Sequence, residues 1–193
     1  VILVDQAGNV HNRILTPEQG NEVTQGALDQ MTAYLNSKCQ GLTMDEARKE
    51  MEQVHSTGIR NVLMLTGESY KFTPVSYLKD AATVAKDFFQ GIAIEVHPML
   101  TSEYKELFEA GIDGVTIYQE TYDRERYAEV HLSGYKKNYD YRRETPARAA
   151  AAGMRQISMG ILLGLSQVAK DVYELFTHLR ELEKAFPGVE YSV

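Results

Sequence analysis

Asn61-Val62-Leu63-Met64-Leu65-Thr66, closed by Gly67-Glu68, is a short apolar run that ends in glycine and a carboxylate. The pattern returns in Ile92-Ala93-Ile94-Glu95-Val96-His97, stopped by Pro98, in Val115-Thr116-Ile117-Tyr118, and in Gln156-Ile157-Ser158-Met159-Gly160-Ile161-Leu162-Leu163. Glu190-Tyr191-Ser192-Val193 begins one more. Runs this short and this apolar read as buried strands. Helical patterns lie between them. Thr43 caps a helix that turns Ala47, Met51 and Val54 inward, and Pro74 to Phe89 is the next. Thr101 to Ala110 ends at Gly111, Thr145-Pro146 to Ala152 ends at Gly153, and Val168 to Phe186 is the longest. Strands alternating with amphipathic helices make βαβ units and a parallel sheet. An open doubly wound sheet and a β/α barrel both fit. A complete barrel takes about 250 residues, so 193 residues are too few for eight units and make either a partial barrel or part of a larger protein.

Residues 1–41 have a different texture. Val1 to Val4, a turn at Gln6-Ala7-Gly8-Asn9, and Val10 to Leu15 read as a hairpin. Thr16-Pro17-Glu18-Gln19 opens a helix carrying Val23, Ala27, Leu28, Met31 and Leu35 on one face. Asn36-Ser37-Lys38-Cys39-Gln40-Gly41 breaks it. The expected division is therefore 1–41, a hairpin and helix, and 42–193, the βα region.

Composition narrows the function classes. The chain is 44% hydrophobic and 24% charged, so it can bury a sizeable core. Its net charge is -7 and its pI about 5.3. Nucleic acid and anionic membranes both call for a cationic face, so neither is expected as a partner. No window reaches the roughly 18 apolar residues of a membrane span. The first residues carry no basic leader region, and one cysteine permits no internal disulfide. A cytoplasmic location is the simplest expectation.

Parallel α/β proteins gather function at the C-terminal ends of their strands. Those ends carry Gly67-Glu68-Ser69, Glu95 with His97, Gln119-Glu120-Thr121-Tyr122, and Gly160 with Gly164 to Ser166. Carboxylates, an imidazole and glycine-freed amides can thus share one rim. Strand-end Glu and Gly are also ordinary in βα loops that bind nothing. Glu120 sits directly at a strand end and suits an ammonium or a ribose hydroxyl. Arg124 and Arg126 alternate with Asp123 and Glu125, as solvated helix surface does. His131 to Arg143 reads as a long loop. It is either structural or a lid in which an arginine grips a carboxylate with two parallel hydrogen bonds. His11, His55 and His178 read as surface residues, and Met44, Met51, Met64 and Met99 as core fillers. The sequence has no Gly-x-Gly-x-x-Gly, phosphate loop or serine elbow.

Several segments together resemble one family. Leu63-Met64-Leu65-Thr66-Gly67-Glu68, Glu95-Val96-His97-Pro98-Met99, Gly114-Val115-Thr116-Ile117-Tyr118-Gln119-Glu120-Thr121-Tyr122 and Val130-His131-Leu132-Ser133-Gly134 are similar to 2-iminoacetate synthases. So are Thr145-Pro146-Ala147-Arg148-Ala149 and Gly160-Ile161-Leu162-Leu163-Gly164-Leu165. These are the radical S-adenosylmethionine (SAM) tyrosine lyases of thiamine thiazole biosynthesis, and the resemblance spans residues 42–193. It implies a partial β/α barrel of the radical SAM type, a 4Fe–4S cluster, and SAM as the source of a 5′-deoxyadenosyl radical. It implies tyrosine as the small-molecule substrate, cut to 2-iminoacetate and p-cresol, and a thiazole synthase as partner. Carried over by motif, Gly67 and Glu68 would hold the amino group of SAM's methionine. Glu120 and Arg142 would contact its amino-acid portion, and Gly160 and Gly164 would lie beside the adenine.

One departure accompanies the resemblance. The family holds its cluster with a Cys-x3-Cys-x2-Cys loop, expected just before residue 42. Here that region reads Ala33-Tyr34-Leu35-Asn36-Ser37-Lys38-Cys39-Gln40, with a single cysteine. The cluster ligands are therefore absent from this chain, the metal-ligand set is empty, and no catalytic residue is assigned. The last barrel units are not seen before Val193. The expectation is an incompletely represented enzyme, inactive alone, or a relative that binds SAM without radical chemistry.

Overall fold

The computed structural model describes residues 2–4, 10–12, 43–68, 70–71 and 73–193. The chain divides into two compact units, Val1–Gly41 and Leu42–Val193. In the first, β1 (Ile2–Val4) pairs antiparallel with β2 (Val10–Asn12), as a hairpin does. The helix expected from Thr16 onward, and Cys39, lie outside the described residues.

The second unit repeats strand and helix from end to end. Its elements are α1 (Met44–Ser56), β3 (Asn61–Leu65), α2 (Val75–Ala85), β4 (Gly91–Glu95), α3 (Thr101–Ala110) and β5 (Gly114–Glu120). Then come α4 (Arg124–Val130), a 3-10 turn (Tyr135–Lys137), α5 (Tyr139–Arg143), α6 (Thr145–Ala151), β6 (Gln156–Ile161), α7 (Val168–Ala185) and β7 (Glu190–Ser192). Local chemistry explains the boundaries. Thr43 Oγ1 accepts from the Glu46 amide, and Glu46 Oε2 accepts from the Thr43 amide at 2.9 Å, closing a capping box. Gly111 ends α3 at φ 107°, where a side chain would be strained.

The five strands run β3-β4-β5-β6-β7, all parallel and each beside its predecessor. A doubly wound sheet reverses its strand order at a switch point. This one does not, so the architecture is the arc of a β/α barrel. One face of the sheet packs on helices. Ile92, Ile94, Val96, Val115, Ile117, Ile157 and Met159 from the strands meet Leu78, Ala82 and Ala85 of α2, Tyr104 and Leu107 of α3, Ala149 of α6, and Leu175 and Leu182 of α7. Met99 joins this core, and Met51 and Met64 pack against it.

Two expectations need correcting. The run 61–66 is not buried throughout, because Leu63 is 40% and Leu65 65% exposed. Strand side chains alternate faces, so Val62 and Met64 meet the core while their neighbours take the other face. Residues 131–143 are not simply loop. They hold the 3-10 turn and α5, whose start is capped by Asn138 Oδ1 accepting from the Tyr141 amide at 3.1 Å. Helical pieces of three and five residues are too short to show a periodicity.

Candidate functional site

The strand ends form one mouth. A cavity of about 620 Å³ is lined by Gly67 and Glu68 after β3, Glu95 at the end of β4, Thr116, Tyr118 and Glu120 of β5, and Lys136 and Arg142 from the connection that follows. Arg142 is the hub, with 4% exposure. Its Nε donates to the Tyr118 carbonyl at 2.6 Å, Nη1 to Glu68 Oε1 at 2.9 Å, and Nη2 to Glu120 Oε1 at 3.2 Å. Lys136 Nζ donates to the same Glu120 oxygen at 2.7 Å and lies 3.6 Å from Glu68 Oε1. Two carboxylates and two cations thus interlock. Glu68 Oε2 is buried and accepts no hydrogen bond among the described residues.

Local structure places each member. Gln119 is the extra residue in β5: Tyr118 pairs with Gly160, but Glu120 pairs with Ile161. This bulge re-aims the strand end, and Glu120 adopts φ 74°, a left-handed conformation rare for a side-chain residue. Lys136 is held by its own carbonyl, which accepts from the Tyr127 hydroxyl at 2.5 Å. Burial pushes the Tyr127 phenol up to about 12, so it remains a donor. Tyr127 also stacks on His131, 4.0 Å between ring centres. Arg142 follows from α5, which Arg124 ties down by two bonds to Asp140, at 2.6 and 3.2 Å.

Four of the six residues singled out from sequence, Gly67, Glu68, Glu120 and Arg142, line the cavity together. Gly160 and Gly164 do not. A Cβ on Gly160 would lie 2.7 Å from the Tyr118 ring, so the glycine makes room for that neighbour. Gly164 turns the chain after β6 at φ 91°. Glu95 lines the mouth, whereas His97 does not. His97 is fully buried under Tyr70, 3.9 Å between ring centres, and neither ring nitrogen has a hydrogen-bond partner among the described residues. Burial holds it below the usual histidine range and hence neutral.

His178 is a correction. It is buried on α7, not at the surface, with Nδ1 2.9 Å from the Tyr122 hydroxyl. Burial, then Arg143, pushes it down to about 4. It takes the inward face of an amphipathic helix with Leu175 and Leu182, and that spacing could have revealed it. Lys136 had no such signal, since a lysine in a polar connection looks solvated until the turn is built. Among the described residues no group of three His, Cys, Asp or Glu side chains could hold a metal ion, and no helix is long and apolar enough to cross a membrane.

Together these features define a β/α-barrel protein whose strand ends form a mouth lined by charged groups of both signs. Residues 29–179 match the Radical SAM superfamily, and the chain belongs to that superfamily. It is 34% identical over 162 residues to 2-iminoacetate synthase of Escherichia coli, and 33% to that of Salmonella typhimurium. Each alignment covers 82% of this chain but 43% of the relative, so the chain spans less than half the length of these enzymes. Among solved structures, HydG, a maturase of FeFe-hydrogenase, superposes with a TM-score of 0.73 at 28% identity, over 78% of this chain and 36% of that one. HydG from Carboxydothermus hydrogenoformans gives 0.72 at 28% identity, over 78% and 37%. Methylornithine synthase (PylB) gives 0.62 at 21% identity, over 72% and 41%, a likeness of fold.

Proposed function

We propose that the mouth binds the methionine portion of SAM, and that the chain is the SAM-binding region of a tyrosine lyase of the 2-iminoacetate synthase type. The observation that carries this is the buried Arg142 between Glu68 and Glu120, with one Glu68 oxygen unpartnered. SAM's amino-acid end is a zwitterion. Its carboxylate suits the guanidinium and ammonium of Arg142 and Lys136, and its ammonium suits the two carboxylates. A space of about 620 Å³ lies within the range of small-molecule sites. Gly67 leaves open space for a ligand beside the β3 end, since a Cβ there would meet nothing within 4 Å. Gly160 and Gly164 remain proposed for the adenine side.

SAM fits the residues present, but an iron–sulfur cluster does not. Thiolates hold such clusters, and the sequence has one cysteine. No chemical step is therefore assigned to this chain. The cleavage of tyrosine to 2-iminoacetate and p-cresol, thiamine thiazole synthesis, and a thiazole synthase partner belong to the proposal for the whole protein. So does the cytoplasmic location. A second reading, favoured by the same single cysteine, is a SAM-binding relative without lyase activity.

Calorimetric titration of SAM into the chain tests the site. Saturable binding is expected, and no heat at millimolar SAM removes the reading. Iron and sulfide analysis after anaerobic reconstitution, run on this chain and on the intact protein with any adjoining segment, separates the two functions, since a cluster on the intact protein supports the lyase and none on either supports the binding relative. A chain carrying no stoichiometric cluster is expected here. Three closely spaced cysteines immediately upstream or downstream in the same reading frame support the lyase, and their absence supports the binding relative.

A further inference from the structure

Glu120 brings its carboxylate into the mouth on a backbone that side-chain residues avoid. Among the described residues it is the one non-glycine with positive φ. Such a conformation persists where its surroundings over-determine it. On one side the β5 bulge does this, and the Glu120 carbonyl accepts from the Leu162 amide at 2.8 Å. On the other side the grip comes from outside the barrel. Asp171 of α7 is 1% exposed. Its Oδ1 accepts from the Tyr122 amide at 2.8 Å, and both carboxylate oxygens lie 2.9 Å from the Thr121 hydroxyl that donates to them. The Thr121 oxygen in turn accepts from the Asp123 amide at 3.0 Å. Asp171 lies in the first turn of α7, where unpaired helix amides favour a carboxylate. It does not line the cavity.

We propose that Asp171 is a positioning residue for the mouth. Through Thr121 and the Tyr122 amide it holds Glu120 left-handed, and so keeps that carboxylate against Arg142 and Lys136. This rests on reading the mouth as a SAM site. The alternative is a brace that stabilises the fold and does nothing for the ligand.

The two roles separate in the full chain. Thr121→Val removes the hydroxyl without changing the side chain's shape, and Asp171→Asn weakens the same grip if the valine variant does not fold. Leu182→Ala is the control, a buried truncation on the same helix that lowers stability away from the mouth. With SAM in the calorimeter, Thr121→Val raises Kd about tenfold, the scale of a lost hydrogen bond to a charged group. Thr121→Ser restores it, and Leu182→Ala leaves it unchanged at an equal or larger loss of Tm. An unchanged Kd in Thr121→Val, or an equal rise in Leu182→Ala, overturns the proposal. Backbone couplings from nuclear magnetic resonance decide the matter if the wild-type chain binds no SAM, an outcome that removes the proposed function and leaves of this proposal the hold of Asp171 on Glu120. Glu120 then keeps positive φ in the wild type and loses it in Thr121→Val. Positive φ in both overturns the positioning role.

Discussion

Arg142→Ala is the most demanding perturbation of the mouth. It removes a guanidinium with 4% exposure that donates to two carboxylates and one backbone carbonyl. Glu120, 6% exposed, and Glu68 would then face each other with one cation fewer. Deleting one partner of a buried ion pair costs about 3–5 kcal/mol, because the remaining charge is stranded. Here Lys136 still holds Glu120 at 2.7 Å, which places the loss near the lower end, about 3 kcal/mol. For a chain of this size each kcal/mol moves Tm by about 2–4 °C, so the expected fall is roughly 6–12 °C. Urea unfolding followed by circular dichroism measures it, with a lower midpoint and an unchanged slope. Arg142→Met combined with Glu120→Gln recovers part of the loss, since neither charge is left alone. A cost below about 1 kcal/mol, the level of a surface pair, would show that water reaches these carboxylates and that the mouth is not the closed quartet described.

Other outcomes follow from the same geometry. Glu68→Gln keeps the shape and removes the charge, and SAM affinity falls about tenfold in calorimetry by loss of a charge-assisted bond. Gly160→Ala sets a Cβ 2.7 Å from the Tyr118 ring and lowers stability by about 1–2 kcal/mol, within the range for overpacking. Tyr118→Ala in the same chain cancels most of that cost in a double-variant cycle. His178 is held at about 4 in the fold against 6.5 ordinarily. Between those values the unfolded chain binds the extra proton, so its contribution is full above pH 6.5 and is lost as pH falls toward 4. Buried His97 pulls in the same direction. His178→Gln therefore flattens part of the acid slope of Tm, and an unchanged slope would refute its burial.

The strands and the long helices were legible because their signals are local. Thr43 with Glu46, Gly111 after Ala110, and the apolar cores of β4 and β5 each report on neighbours in sequence. Strand order was not, since alternation alone suits either winding, and only the pairing of β3 through β7 in sequence decides it. Glu68 and Glu120 were legible as strand-end carboxylates and Arg142 by motif resemblance, but their meeting is a long-range fact that no spacing states. Lys136, Asp171 and the Tyr122–His178 contact escaped for a similar reason. Each depends on a turn or helix face being brought beside β5 from a distant segment, and although the spacing of α7 marks the His178 face as inward, it does not name the partner.

The interlocked pairs in the mouth have a bearing on selectivity. Arg142 and Lys136 there already pair with Glu68 and Glu120, so a guest carrying both signs swaps partner for partner and disturbs the surrounding ions little. Its affinity then changes little with salt. A molecule offering only its amine leaves a guanidinium stranded, and one offering only its acid strands a glutamate. The arrangement thus rejects half-matching guests by what it would cost to abandon an internal partner.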